Sequence, residues 1–224
     1  MASATIPMAS ATIPMASAIV VPVVVFDVVG TLLEPAPSVA AVYAAVGRRH
    51  GLDLAEDVIA ARFRGAWKRQ EAIDAAAVPP FATSRDREAT RWRDIVADVF
   101  GAAAADERIF ADLWEAFARP EAWRPVAAGR RLIEEARQAG REVALASNFD
   151  ERLFRLAESV PPLTLADHVF ASSDLGWRKP APEFFRAVEA RLGRRPDELL
   201  LVGDDPELDL AAGRRAGWHV RGVE

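Results

Sequence analysis

Apolar positions along the chain fall into two regimes. From Ser38 to Ala118 they recur at helical spacing, which predicts four helices. The segments are AAVYAAVGRRHG (40–51), DLAEDVIAARFRGAWKRQEAI (53–73), REATRWRDIVADVFG (87–101) and DERIFADLWEAFARP (106–120). A breaker, AVPPFATS with Pro79 and Pro80, divides the second from the third, and no strand signal appears within the block. From Trp123 onward, short apolar runs alternate with amphipathic ones: helix VAAGRRLIEEARQAG, strand EVALAS, helix DERLFRLAESV, strand DHVFAS, helix PEFFRAVEARLG, strand ELLLVGDD, helix ELDLAAGRRAG and a last strand WHVRGV. Gly51, Gly140 and Gly193 stand where helix ends favour a left-handed residue, and Pro182 stands in a first turn. Ahead of the helical block, Ile19–Phe26 is an unbroken apolar run. It predicts a strand buried on both faces, with Pro22 near its start, where a missing N–H is tolerated.

Alternating helices and strands imply a parallel sheet with right-handed crossovers. The expected fold class is therefore α/β: a Rossmann-like three-layer parallel-sheet core with a helical domain inserted after the first strand. The core takes residues 19–34 and 122–224, and the insert takes 35–121. Residues 1–18 repeat the heptad MASATIP, which is small, polar and unable to build a core, so a disordered tail is expected. Met8 and Met15 open further copies of the repeat, which leaves the start codon open among Met1, Met8 and Met15. The apolar run after the repeat is too short to span a membrane and follows no basic segment.

Composition narrows the chemistry. Half of the 224 residues are hydrophobic (51%), enough for a sizeable core. The net charge of −5 argues against nucleic acid or an anionic membrane as the main partner. It leaves room for a local basic cleft and says nothing of oligomeric state. With no cysteine, disulfides, thiolate zinc sites and cysteine nucleophiles are excluded, and a cytoplasmic location is expected. His50, His168 and His219 are far apart, so a histidine metal site is disfavoured. Nearly all the cations are arginines. Lys68 and Lys179 are the only lysines.

Four polar clusters then stand out, because they follow the predicted strands. Asp27 follows the first, Ser147-Asn148 follows EVALA, Arg178-Lys179-Pro180 lies after HVFAS, and Asp204-Asp205 follows ELLLVG. Each alone reads as a helix cap, a turn or a surface charge. Together they mark one crevice, since parallel sheets bind ligands outside the carboxyl ends of their strands.

In their order and content the clusters resemble the four motifs of the haloacid dehalogenase (HAD) superfamily of hydrolases. FDVVGTLLE (26–34) is similar to the first, ALASNFD (144–150) to the second, WRKPAPEFF (177–185) to the third and LLVGDDPELD (200–209) to the acidic fourth. The DVVGTLL form, with FARPEAWRP and SNFDERL, resembles the branch called haloacid dehalogenase-like hydrolase domain-containing protein three. The resemblance implies a helical cap of the C1 type at 35–121. It implies a phosphatase acting on a small phosphomonoester through an aspartyl-phosphate. Asp27 is then the nucleophile, with Ser147 and Lys179 as catalytic partners and Gly30, Thr31, Ser147, Asn148 and Lys179 around the phosphate. A Mg²⁺ cofactor would be held by Asp27, the backbone carbonyl of Val29 and Asp204, with Asp205 or Asp209 in support.

Val29 departs from the pattern. Most phosphatases of the superfamily carry an aspartate there as general acid and base, a function commonly worth roughly 10²–10⁴-fold in rate. Three alternatives follow. A 2-haloacid dehalogenase needs no acid at 29, but such relatives lack the paired acids of the fourth motif. A phosphonate hydrolase would need Lys68 as a Schiff-base lysine, against the expectation of a solvated charge. A phosphate- or metal-binding pseudoenzyme would turn over little. In the insert, Trp67, Trp92 and Trp114 are expected to pack helices rather than line a pocket, and Arg64, Arg69 and Arg91 to lie on solvated faces.

Overall fold

A computed structural model describes residues 21–224. The heptad tail and the first two residues of the predicted opening strand lie outside the described residues. Strand β1 (Val23–Phe26) begins directly after Pro22, so the proline precedes the ladder instead of interrupting it. Its four side chains are all buried, as its unbroken hydrophobicity requires.

Strands β2 (Leu33–Pro35) and β3 (Trp123–Pro125) form a small antiparallel pair. Between them run helices α1 (Val39–Arg49), α2 (Glu56–Ala76), α3 (Arg85–Phe100) and α4 (Glu107–Phe117). Then follow α5 (Ala127–Gln138), β4 (Glu142–Ser147), α6 (Arg152–Ser159), β5 (His168–Ala171), the short α7 (Ser172–Leu175), α8 (Pro182–Leu192), β6 (Leu199–Gly203), a π-helical segment Pro206–Ala211, α9 (Ala212–Arg215) and β7 (His219–Gly222).

The main sheet is wholly parallel, in the order β5-β4-β1-β6-β7, so β1 lies at its centre. Alternate residues of β1 feed opposite faces. Val24 and Phe26 join Leu132, Ile133, Leu145 and Leu153 on the α5–α6 side, while Val23 and Val25 join Phe184, Phe185, Val188 and Trp218 on the α8–α9 side. The result is the expected α/β Rossmann-like core, a sheet between two helical layers. Helices α1–α4 share a separate apolar cluster that includes Tyr43, Ile59, Val99 and Leu113.

One expectation needs correction, and one pair of strands has no counterpart among the predicted elements. The β2–β3 pair escaped notice because each strand is three residues long and ends on proline, too short for a periodicity. Backbone pairing places both chain crossings into and out of the helical block side by side, with Leu33 opposite Pro125. The predicted helix ELDLAAGRRAG opens instead as a π-helical turn before continuing as α9. Asp205 caps it, accepting from the backbone N–H groups of Glu207 and Leu208 (both 2.8 Å). The wider turn carries Asp209 to a buried position.

Candidate active site

The sheet ends at a cluster of charges. Beyond Phe26 the backbone stays on the sheet for one more bond, from Asp27 N–H to the carbonyl of Val202 (2.9 Å), which anchors Asp27 between β4 and β6. Its carboxylate is buried. Oδ1 accepts from Ser147 Oγ (3.0 Å) and from Lys179 Nζ (2.6 Å), and Lys179 also donates to Asp209 Oδ1 (2.5 Å). Oδ2 of Asp27 has no hydrogen-bond partner among the described residues. Carboxylate oxygens of Asp27, Asp204 and Asp209 lie within 4.8 Å of one another.

One ammonium thus bridges two carboxylates, with that of Asp204 beside them. Burial, opposed by the attraction of Lys179 but assisted by repulsion from Asp209 and Asp204, pushes the Asp27 carboxyl up to about 6. Burial also opposes the Lys179 charge, but Asp27 and Asp209 outweigh it and hold its pKa above the ordinary lysine value. Lys179 is therefore a fixed cation and Asp27 the titrating partner.

Of the remaining expected residues, Gly30 and Thr31 support this cluster from behind, while Val29, Asn148 and Asp205 also line the cavity. Gly30 has φ +90°, and a Cβ there would stand 2.4 Å from Asp204 Oδ2, so the loop needs glycine for both backbone and space. Thr31 is fully buried, and its hydroxyl donates to Asp204 Oδ1 (2.8 Å), orienting that carboxylate. Asn148 clamps the backbone of Lys179 at both ends: its Oδ1 accepts from Lys179 N–H (2.7 Å) and its Nδ2 donates to the Lys179 carbonyl (2.9 Å). Asp205 is occupied as the cap of the π-helical turn and stands outside the three-carboxylate group. Val29 lines the cavity and is 40% exposed, with no ionisable group at that point.

A cavity of about 500 Å³ covers the cluster. Its floor is Asp27, Ser147, Lys179, Asp204 and Asp209, and its other walls come largely from α2, α3 and the β2–β3 region. Trp67 and Trp92 pack against each other, ring centroids 6.0 Å apart, and also line this cavity, so the packing expectation captured only half of their surroundings. Trp114 stacks on the Arg152 guanidinium at 3.9 Å. Arg69 is on the solvated face, paired with Asp98 (2.7 Å). Arg64 and Lys68 are exposed yet border the cavity.

Arg91 overturns its expectation. It is 1% exposed and pairs with Asp74 and Glu71. Helical periodicity placed it on a polar stripe, but that stripe turns toward the core, where Arg178 projects into it. Arg178, beside Lys179, donates to Glu88 Oε1 (2.7 Å) and lies 3.6 Å from Asp74, while Arg87 reaches Asp74 at 2.6 Å. The backbone joins in: Arg178 N–H donates to the Phe81 carbonyl (2.9 Å) and Thr83 N–H to the Gly176 carbonyl (2.9 Å). The lysine loop is thus held from both sides, by Asn148 and by the α2–α3 connection. Only the sequence neighbourhood of Lys179 hinted at Arg178, and nothing local marked Glu88 or Asp74 as its partners.

Comparison with known proteins agrees with this geometry. The sequence profile for "haloacid dehalogenase-like hydrolase" matches residues 21–217. The chain belongs to that hydrolase family. Haloacid dehalogenase-like hydrolase domain-containing protein 3 of Bos taurus is 27% identical over 200 residues, covering 87% of this chain and 78% of the relative. Phosphoserine phosphatase of Thermus thermophilus is 35% identical over 130 residues, covering 54% of this chain and 51% of the relative. Among solved structures, L-2-haloacid dehalogenase from Xanthobacter autotrophicus with chloropropionic acid covalently bound superposes with a TM-score of 0.68 at 23% identity, covering 90% of this hydrolase and 76% of that chain. The last likeness concerns the fold.

Proposed function

We propose that this hydrolase is a Mg²⁺-dependent phosphatase for a small phosphomonoester, with Asp27 as nucleophile and helices α1–α4 as a cap over the site. The observation that carries the reading is the shared grip of Ser147 and Lys179 on Asp27 Oδ1, beside two further carboxylates. The donor set fits a hard dication. Three carboxylates against one ammonium leave two uncompensated negative charges, and all the donors are oxygen. Asp27, Asp204, Asp209 and the carbonyl of Val29 would hold the ion. When bound, it supplies positive charge that lets a phosphate dianion approach a carboxylate.

The chain's own residues then account for the chemistry. Oδ2 of Asp27, left without a partner, attacks phosphorus, and the ester P–O bond breaks to give an aspartyl-phosphate. Ser147 and Lys179 stabilise the charge gathering on the phosphoryl oxygens. Water then attacks the aspartyl-phosphate, releasing phosphate and restoring the Asp27 carboxylate. Val29 offers no proton to the departing oxygen, so the alkoxide takes its proton from water. Turnover is expected to rise steeply as the leaving group becomes more acidic.

Val29 also favours a second reading. A halide leaves without a proton, so 2-haloacid dehalogenation tolerates valine there, while the acidic cluster weighs against it. Hydrolysis of p-nitrophenyl phosphate that requires Mg²⁺ and disappears in Asp27→Asn is the expected result. Halide release from 2-chloropropionate in EDTA, with no phosphate release, would replace the phosphatase by the dehalogenase. Binding of Mg²⁺ and phosphate without either turnover would make the protein a pseudoenzyme.

A further inference from the structure

Phosphoryl chemistry needs only the floor of the cavity. The volume of about 500 Å³ is of the size that takes a drug-like ligand, since such pockets measure roughly 300–1,000 Å³. Six rings line the rest: Phe63, Trp67, Trp92, Phe117, Trp123 and Phe149. They form two runs. Phe63, Trp67 and Trp92 follow one another on α2 and α3 at centroid spacings of 6.2 and 6.0 Å. Phe117, Trp123 and Phe149 follow one another at 6.2 and 5.8 Å where the helical block meets the core.

The buried charged groups among these rings are paired with one another. Arg152 is buried, donates to both oxygens of Asp150 (2.7 and 2.6 Å), and has its guanidinium 5.3 Å from the Trp92 ring. The indole N–H of Trp92 is spent on Asp150 (3.1 Å). Arg91 and Arg178 are charge-paired with Glu71, Asp74 and Glu88, and each keeps its Nε without a hydrogen-bond partner among the described residues. Arg64 and Lys68 have no ion-pair partner among the described residues, and both are exposed. A hydroxylated body, such as a sugar, would lose its water against the ring faces, which offer it no hydrogen bond in return. A ring would replace water and stack.

We infer that the substrate carries, beside its phosphoryl group, a compact aromatic or otherwise apolar body held between the two runs of rings. This rests on the phosphate-site reading above, and the test separates the two. Isothermal titration of the Mg²⁺-loaded protein with inorganic phosphate, methylphosphonate, benzylphosphonate and 3,4-dihydroxybutylphosphonate avoids any leaving-group effect, because none of the ligands turns over. Benzylphosphonate is expected to bind at least about tenfold more tightly than methylphosphonate, a gain appropriate to burying one ring. Trp67→Leu should remove most of that gain and leave methylphosphonate affinity unchanged.

Equal affinities for benzyl- and methylphosphonate overturn the inference while leaving the phosphate site standing. So does an equal gain from the dihydroxybutyl compound. If neither inorganic phosphate nor any phosphonate binds, the phosphate site itself falls, and the inference with it. The comparison in the unsubstituted protein stands whether or not the Trp67 variant folds.

Discussion

At the scale of single residues, the proposed chemistry turns on two positions, Asp27 and Val29. Restoring an acid at 29 should raise turnover most where the leaving group is poor. Val29→Asp is expected to accelerate hydrolysis of alkyl phosphates by roughly 10²-fold or more and of p-nitrophenyl phosphate far less, flattening the dependence on leaving-group acidity. No gain in a folded, Mg²⁺-binding variant would show that proton transfer is not limiting. Asp27 itself is costly to the fold. Its pKa rises from 3.8 to about 6 on folding, so the folded state holds the proton more tightly than the unfolded chain between those values. The stability from this group is therefore greatest below about pH 4, declines as pH rises to about 6, and stays low above that. In EDTA, Asp27→Asn should melt higher than the parent above pH 6, by on the order of 5 °C, with the gap closing toward pH 4. Thermal melts of both proteins across pH check this; a constant gap would mean that Asp27 is not the titrating group.

At the scale of elements, the loop after α7 matters most. Lys179 is useful only if its ammonium is held at Asp27, and the loop is fixed by Asn148 on one side and the α2–α3 connection on the other. Arg178 carries that second attachment into a buried set of acids. Arg178→Ala would leave Glu88 buried without its ion-pair partner, and breaking a buried pair in this way commonly costs about 3–5 kcal/mol. Urea unfolding should show a loss of that order. Glu88→Gln, which keeps a hydrogen bond to Arg178 without the charge, should lose less. Equal stability of Arg178→Ala and the parent would mean that the attachment contributes nothing.

At the scale of the whole molecule, the sheet brings together residues that are far apart in sequence. The carboxyl ends of β1, β4 and β6 converge because β1 lies between the other two. A ligand that binds there ties several elements together at once. Mg²⁺ should stabilise the protein by mass action, about 2.7 kcal/mol at a hundredfold excess over its Kd. Differential scanning calorimetry across a Mg²⁺ series should show Tm rising with concentration. The rise should shrink in Asp209→Asn, a group that also meets Lys179. A Tm insensitive to Mg²⁺ would argue against the metal site.

How much of this was legible in the chain differs by scale. Helices α1–α6 and α8, and strands β1 and β4–β7, were legible because each has a period or an apolar run long enough to read. The β2–β3 pair was not, since three residues ending on proline carry no pattern. The π-helical opening of the last helix was not, because its apolar spacing is also that of an ordinary helix. Asp27, Ser147, Lys179 and Asp204 were legible as ligand candidates through their place after strands, and Asp209 only through the resemblance of the fourth motif, as an alternative to Asp205. The support given by Thr31 to Asp204 and by Asn148 to the lysine backbone was not, because hydrogen-bond direction depends on distant partners.

By itself, then, the sequence determined the layering of the core and the side of the sheet on which polar residues gather, because strand period and residue identity are local properties, and its resemblance to the family's first motif marked Val29 as the departure. Only the tertiary structure decided which carboxylate joins Asp27 and Asp204, that Arg91 and Arg178 are buried together, and that two runs of rings line the cavity over Asp27. Those are matters of which surfaces meet, and they follow from packing between segments far apart along the chain.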